Sequence, residues 1–556
     1  MKMNLKIYGI ATITILLLSL HASAQTAEDA LTIGQNQYGG TARTISMGNA
    51  FTALGGDLGS IAINPAGSAV AGYSQVTLSP GINISASRSR STNYYSGMRV
   101  DQNKADFILP NVAFNINFGT NNSILKSFNI GVVSNISNTF TEQSVLGGRT
   151  NESSYFGAQA QAATDWRIEA ADMEKSDCYE RYPFDLCLNY KAFLYSPITG
   201  ETNRYVGITE NAEGPDAQGN YNITMREGGM LKQSWGREVT GSKNEYLFNL
   251  GFNFIDKVFL GASIGLTTFN RRYNDYFKEA AMDPSRYPAS FTSSTGVTYN
   301  TFWRDGSYNY KISTSGTGFY CKFGIIYVPT PWLRFGAAIQ LPSNMQITEN
   351  YGASASSSFD NAMFSSNVST DNYQNKYNLR IPMRANFGIA GIIAKRFVLS
   401  ADYEFCPYGD MVFQYNKVNA EDWLQQNQSV KSSLGMGHSL RFGAEARINS
   451  AFSARLGYIL TSNPSLNGVD SRNNLPINHF ANWGKHGENT ASFGLGFNSK
   501  GSFFADVAVA ARIFSTGFFY PYDNMHDIDG RVVVRAPEYV IDRTLWTAVV
   551  TLGWRF

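Results

Sequence analysis

The last eleven residues, WTAVVTLGWRF (546–556), decide the fold. Trp546, Ala548, Val550, Leu552, Trp554 and Phe556 fall on one face of an extended chain, and Thr547, Val549, Thr551, Gly553 and Arg555 on the other. One face is apolar with aromatics at both ends; the other is mostly small or polar. A half-buried strand of a soluble sheet can read this way. Repetition of the pattern along the chain argues for another class.

Moving outward from the C-terminus, the same period recurs. In 503–513, Asp506 and Arg512 oppose Val507, Val509 and Ala511. In 439–448, Leu440, Phe442, Ala444, Ala446 and Ile448 oppose Arg441, Glu445 and Arg447. In 397–405, Phe397, Leu399, Ala401, Tyr403 and Phe405 oppose Ser400, Asp402 and Glu404. In 246–254, aromatic and Leu positions oppose Asn249, Gly251 and Asn253, and in 107–118 the pattern places Ile108, Val112, Phe114, Ile116 and Phe118 on the apolar face. About fourteen such segments fit, starting near residues 75, 106, 127, 243, 258, 308, 333, 376, 396, 437, 453, 489, 502 and 539. Their connections alternate between short turns and long loops, the asymmetry of an outer-membrane barrel. Backbone groups in lipid must all be paired, so such strands have to close on themselves. The predicted fold is therefore all-β: a transmembrane antiparallel β-barrel with an N-terminal plug inside the lumen.

Composition agrees. Mean hydropathy is −0.22, as a polar lumen dilutes an apolar exterior, and the net charge of +2 offers no basic face for nucleic acid. No later segment has the roughly 18 consecutive apolar residues of a spanning helix. Residues 1–24 read as a secretory signal, with Lys2 and Lys6 before an apolar run and Ala22-Ser23-Ala24 at the cleavage site. The division expected is signal 1–24, plug 25–74 and barrel 75–556, with a large extracellular loop at 144–242 carrying a helix near 159–175. A second loop helix is expected near 420–430.

The plug is QNQYGGTARTISMGNAFTALGGDLGSIAINPAG (35–67). It is rich in small residues and holds only two formal charges, Arg43 and Asp57. Met47, Phe51 and Leu54 stand at helical spacing within 41–54, with Gly pairs as breakers on either side. It ends in an Asn64-Pro65-Ala66-Gly67 turn, where Pro65 fixes the backbone and Asn64 bonds its own chain. Charges on lumen-facing positions, among them Arg334, Arg384, Asp402, Glu404, Arg441, Glu445, Arg455, Asp506 and Arg512, suit a network that grips the plug more than a substrate site.

Cysteine and histidine usage narrows the chemistry further. Cys178 and Cys187 lie close together in an exported loop and are expected to form a local disulfide. Cys321 and Cys406 fall on opposite faces, which argues against their pairing. No Cys/His spacing suits a metal, so no metal or cofactor is expected. No GxSxG, HExxH or P-loop is present, and an enzyme is not expected.

The plug motif QNQYGGTAR…MGNAFTALGGDL…NPAG, followed by about fourteen strands and a terminal Phe556, resembles the FadL family of outer-membrane hydrophobic-compound transporters, most of all its branch in Bacteroidota. The resemblance covers essentially the whole mature chain. It implies a monomer in the outer membrane of a Gram-negative bacterium, in contact with outer-membrane lipid. Such a barrel passes long-chain fatty acid-like molecules passively to a pocket beside the plug, with lateral release into the bilayer. It carries Asn64, Pro65, Ala66 and Gly67 over as plug or gate residues. Gln35, Tyr38 and Arg43 are ligand candidates from their place in the plug alone. Two alternatives stay open: a related shuttle or docking barrel for secreted proteins, as in type IX secretion, and a receptor for haem or another aromatic ligand.

Overall fold

A computed structural model describes residues 26–92, 99–293, 295–414, 423–522, 525–526, 532–534 and 536–556. The expected signal segment lies outside the described residues. Fourteen antiparallel wall strands close into one barrel. In chain order they are β1 (Gln75–Ser91), β2 (Arg99–Gly119), β3 (Leu125–Thr139, continued by Glu142–Thr150), β4 (Leu231–Phe254) and β5 (Val258–Ala281). Next come β6 (Thr298–Thr330), β7 (Leu333–Gln340, continued by Ser343–Phe359), β8 (Tyr373–Ile381, continued by Arg384–Ile393) and β9 (Phe397–Pro407). The last are β10 (Met436–Arg447), β11 (Phe452–Thr461), β12 (Glu488–Asn498), β13 (Phe503–Ile513) and β14 (Tyr539–Arg555). β14 pairs back onto β1 from Gln75↔Arg555 to Ser91↔Tyr539, which removes both sheet edges.

The outer surface is the apolar face read from the sequence. Trp546, Val550 and Trp554 on β14 are 47%, 41% and 46% exposed, as only lipid-facing side chains of this size should be. Trp546 and Trp554 stand roughly 26 Å apart along the strand, close to the ~25 Å apolar band of a transmembrane barrel with its aromatic girdles. At one rim the turns are tight: Ile255 and Asp256 (φ 51° and 55°) and Ala394 and Lys395 (φ 51° and 55°) have the double positive φ of a two-residue hairpin turn. At the other rim β4 to β7 run far past the belt.

That extension corrects the expected loop at 144–242. Residues 144–150 and 231–242 remain paired strand (Ser144↔Arg237), so the true insertion is 151–230. It folds as a small helical cap whose Phe156, Leu188 and Leu194 pack on Trp303 and Phe277 of the extended wall. The helix expected at 159–175 is instead Tyr155–Asp165 and a short turn at Ala170–Met173, divided where Arg167 takes φ 50°. The loop helix expected near 420–430 is Leu424–Ser433. Cys178 and Cys187 are free thiols, which corrects the expected disulfide. Both are wholly buried in the cap core with Leu186, Tyr195 and Tyr205, serving as small apolar fillers.

Three strands are broken midway. Pro342 divides β7 and Pro382 divides β8, each removing a ladder donor. β3 breaks at Phe140-Thr141. A bulge at Pro80 and Pro110 offsets β1 against β2. It also flips the side-chain alternation of β2. Phe107 and Leu109 face lipid and Ile108 turns inward, the reverse of the period-two reading from Phe118 backward.

Candidate functional site: the plug and the cavity beside it

Among the described residues, the plug fills the lumen from Thr26 to Tyr73. Thr26 and Asp29 form a capping box on the helix Ala27–Gly34, each satisfying the other's backbone N–H at 3.2 Å. Thr41 caps the helix Ala42–Ser46 and donates its hydroxyl to buried Asp57 at 2.7 Å. Asp57 in turn caps the short helix Leu58–Ala62 through Gly59 N–H at 2.9 Å. The helical spacing over 41–54 yields only these five helical residues. Gly48 (φ 60°) and Asn49 (φ 55°) end the helix, and Met47, Phe51 and Leu54 pack inward from turns instead.

Asn64 closes the turn as its sequence suggests. Its Oδ1 accepts from Ala66 N–H at 3.0 Å. Its Nδ2 donates to Thr52 O at 2.7 Å and reaches the wall carbonyls of Ile325 (3.2 Å) and Ala337 (3.4 Å). Asn249 of β4 donates to Pro65 O at 3.1 Å. Gly67 packs on Ser60, where a Cβ would fall 2.6 Å from Oγ. Asn64, Pro65, Ala66 and Gly67 thus sit together as a wall-bonded corner of the plug.

The lumen charges hold the plug's backbone. Lys322 Nζ donates to Ala62 O (2.5 Å), Arg334 to Leu54 O (2.8 Å) and Arg384 to Gly34 O (3.1 Å), and Asp402 accepts from Thr52 N–H (2.7 Å). Glu404 lies between Arg384 (2.6 Å) and Arg441 (2.5 Å), and Arg455 links Glu445 (2.7 Å) to Asp506 (2.5 Å). Arg43 joins this network through Glu445 at 2.9 Å and lies outside the cavity described next.

What the sequence reading missed is the seat itself. Inward-facing glycines on successive strands let the plug backbone touch the wall. Gly251, Gly261 and Gly324 form one register row, and Gly336 with Gly388 and Gly443 with Gly457 form two more. A Cβ on Gly261 would fall 2.2 Å from Pro65 C and Ala66 N, and one on Gly324 would fall 1.9 Å from Asn64 Oδ1. The signal was in the sequence: Gly recurs at lumen-facing positions of otherwise regular strands, where it marks close backbone approach.

Beside the plug is a cavity of about 150 Å³. Gln35 and Tyr38 line it from the plug. Ile45, Ile108, Pro110, Ile136, Ile459 and Leu545 supply an apolar wall; Glu404, Arg441, Glu488 and Arg512 supply a charged one, with His438, Ser462 and Pro464 also among the lining residues. The cavity reaches the barrel wall where the wall is incomplete. β2 and β3 pair from Gly119↔Ser127 to Asn111↔Asn135 and no further. Beyond that point β2 continues beside β1. β3 bulges at Ile136–Asn138 and turns inward behind them, where Thr141 donates to Asp106 at 2.7 Å. Ile108, Pro110, Ile136 and Asn138 border this fork and all line the cavity. The plug is bonded to the same place: Gln37 N–H donates to Ser137 O (2.6 Å) and Gly39 N–H to Ile136 O (2.7 Å).

The chain matches no known family model and no curated protein. Among solved structures it is similar to the Pseudomonas putida toluene transporter TodX, with 10% identity over 94% of this chain and 99% of that one and a TM-score of 0.45. It is also similar to the Ralstonia pickettii toluene transporter TbuX (12% identity, 94% and 99% covered, TM-score 0.43). A third is a Pseudomonas aeruginosa FadL homologue (11% identity, 94% and 98% covered, TM-score 0.44).

Proposed function

We propose that this protein is a channel of the Gram-negative outer membrane that takes up small hydrophobic molecules and releases them sideways through the fork between β2 and β3. The supporting observation is a single one. The cavity beside a firmly seated plug runs to the one stretch where β2 and β3 part, with Ile108, Pro110 and Ile136 at its edge and exposed Phe107 and Leu109 on β2's lipid face. A hydrophobe leaving there passes along the apolar side of the cavity into the bilayer without crossing bulk water, and its net transfer from water to lipid is favoured by the hydrophobic effect. No energy source is needed.

The cavity volume bears on the cargo. Its roughly 150 Å³ is the size that holds one benzene-sized ring, which would lie against the Ile and Leu side of the cavity. The site therefore suits a ring-sized hydrophobe, or a few carbons of a chain at a time, better than a whole long-chain fatty acid. Tyr38 and Gln35, on the plug segment that bonds the fork, are the residues placed to contact it. Asn64 to Gly67 act as anchor, since their bonds tie them to the wall.

Ile108→Asp tests the reading. A carboxylate at the fork opposes passage of an apolar molecule but touches no plug bond. Uptake of toluene and of a fluorescent fatty acid into proteoliposomes carrying the mature barrel should fall by about ten-fold or more, while mass spectrometry still finds hydrophobes bound in mild detergent. Unchanged uptake by Ile108→Asp would refute release at the fork.

A further inference from the structure

Above the apolar belt, β5 to β8 carry an outward face unlike the rest of the wall. Arg272 (β5), Lys311 (β6), Lys376 and Arg380 (β8) all point outward and are exposed. None of them forms an ion pair among the described residues. The register places them on one surface. Arg380 lies opposite Asn344, which lies opposite Phe319 and so in the row of Leu266, at the upper edge of the belt. Lys376 stands two rows higher, opposite Thr348; Arg272 and Lys311 follow in the next two rows. Together they climb roughly 26 Å along the strands from the lipid boundary outward.

Beside the upper two is an outward concavity of about 800 Å³, bordered by Arg272 and Lys311 and by hydrogen-bonding side chains including Asn309, Asn350 and Asn372, with Ile312 and Ala353 also in its lining. Glu238 is its one lining carboxylate, and Lys104 already holds it at 2.6 Å. On β1 and β2 at this height, Arg88 (3.0 Å) and Arg99 (3.1 Å) share the one carboxylate of Asp101, and Arg90 stands exposed beside them. The outward positions of β9 to β13 above the belt hold no Lys or Arg. The four cations of β5 to β8 thus make one ladder that begins at the lipid surface, and its upper two members, Arg272 and Lys311, border the hollow.

We propose that this sector binds the phosphorylated saccharide headgroup of an outer-leaflet glycolipid. The cations face phosphates, for which Lys and Arg near a membrane surface are the ordinary receptors. The Asn-lined hollow offers both donors and acceptors to sugar hydroxyls. Contact with the belt puts the acyl chains against Phe319, Phe323 and Leu260. The site is independent of what the lumen carries.

The test uses the full mature barrel in mild detergent. Diphosphoryl lipid A is titrated against wild type, against Arg272→Gln/Lys311→Gln/Lys376→Gln/Arg380→Gln, and against the paired-cation control Arg88→Gln/Arg99→Gln. The fourfold variant should bind roughly ten-fold more weakly or worse, the control should match wild type, and dephosphorylated glycolipid should bind wild type as poorly as the variant binds the intact lipid. If the fourfold variant fails to fold, Lys376→Gln/Arg380→Gln carries the same comparison with a roughly three-fold effect. Equal binding by variant and wild type overturns the proposal, as does an equal loss in the control. Displacement by millimolar inorganic phosphate also overturns it, because that marks a site for a small anion.

Discussion

Gly261→Ala is the sharpest probe of the plug's seat. The new methyl would lie 2.2 Å from two plug backbone atoms, Pro65 C and Ala66 N, about 1.3 Å inside an ordinary carbon contact. Neither partner can yield cheaply. Gly261 is paired on both sides, to Gly251 and Gly324, so the wall cannot retreat. The plug must withdraw, and a shift of that size breaks the Asn249 bond to Pro65 O (3.1 Å) and the long reaches of Asn64 to Ile325 and Ala337. Overpacking costs about 1–3 kcal/mol and each buried donor left unpaired about 1–3 kcal/mol more, so the seated state should lose roughly 3–6 kcal/mol. The readout is ion conductance in planar bilayers: wild type should be nearly silent, and Gly261→Ala should open to long-lived conductance. Gly236→Ala is the control, since nothing lies within 4 Å of its Cβ. A Gly261→Ala barrel as silent and as heat-resistant as wild type would refute the reasoning that glycine here serves close approach.

Other outcomes can be checked alongside. Glu404→Gln leaves Arg384 and Arg441 buried and facing each other without their shared carboxylate, so urea unfolding in micelles should show a loss of about 3–5 kcal/mol. The cap at 151–230 should weaken as pH rises: burial pushes the carboxyls of Glu210 in the cap and of Glu279, the β5 residue that holds Ser154 and Tyr155, up from 4.5 to about 7. Both therefore hold protons more tightly folded than unfolded, and their stabilisation is complete below pH 4.5 and lost as pH climbs through 7. Hydrogen exchange of amides in 151–230 should accelerate between pH 5 and 8 after correction for the intrinsic rate, and Glu279→Gln should flatten most of that change. Equal corrected protection at both pH values would count against it.

How much of this was legible depended on range. The strands were readable because one face meets lipid and the other a polar lumen, so period two holds along the wall strands except where a bulge interrupts it; even the last, 546–556, needs no partner to be recognised. The grip of Asp402, Arg334 and Arg384 on the plug was legible as a class, since mixed charges inside a narrow barrel have little else to bind. The failures are local events set by distant partners. The bulge at Pro110 flips Ile108 inward, and period-two reading carries no memory of a bulge. Helical spacing over Met47, Phe51 and Leu54 is produced by turns, because packing against the wall overrides the propensity of a short segment. The thiols of Cys178 and Cys187 are neighbours in space, yet adjacency in sequence does not say whether they bond or fill.

The fork and the plug behave as one mechanical unit, a conclusion neither suggests alone. β3 leaves the wall at Ile136, and the backbone it would have shown to β2 is instead satisfied by the plug at Gln37 and Gly39. A barrel strand cannot abandon its ladder at membrane depth unless another group takes over those bonds. The plug is what makes the opening affordable, and Tyr38 sits between the two bonded residues with its ring buried and φ at 21°, a conformation disfavoured for an L-residue. On the proposed reading, pressure on Tyr38 from a molecule in the cavity would act directly on the bonds that hold the fork. On that reading a small plug movement would change the opening, while the corner fixed by Asn64 and Gly261 stays in place.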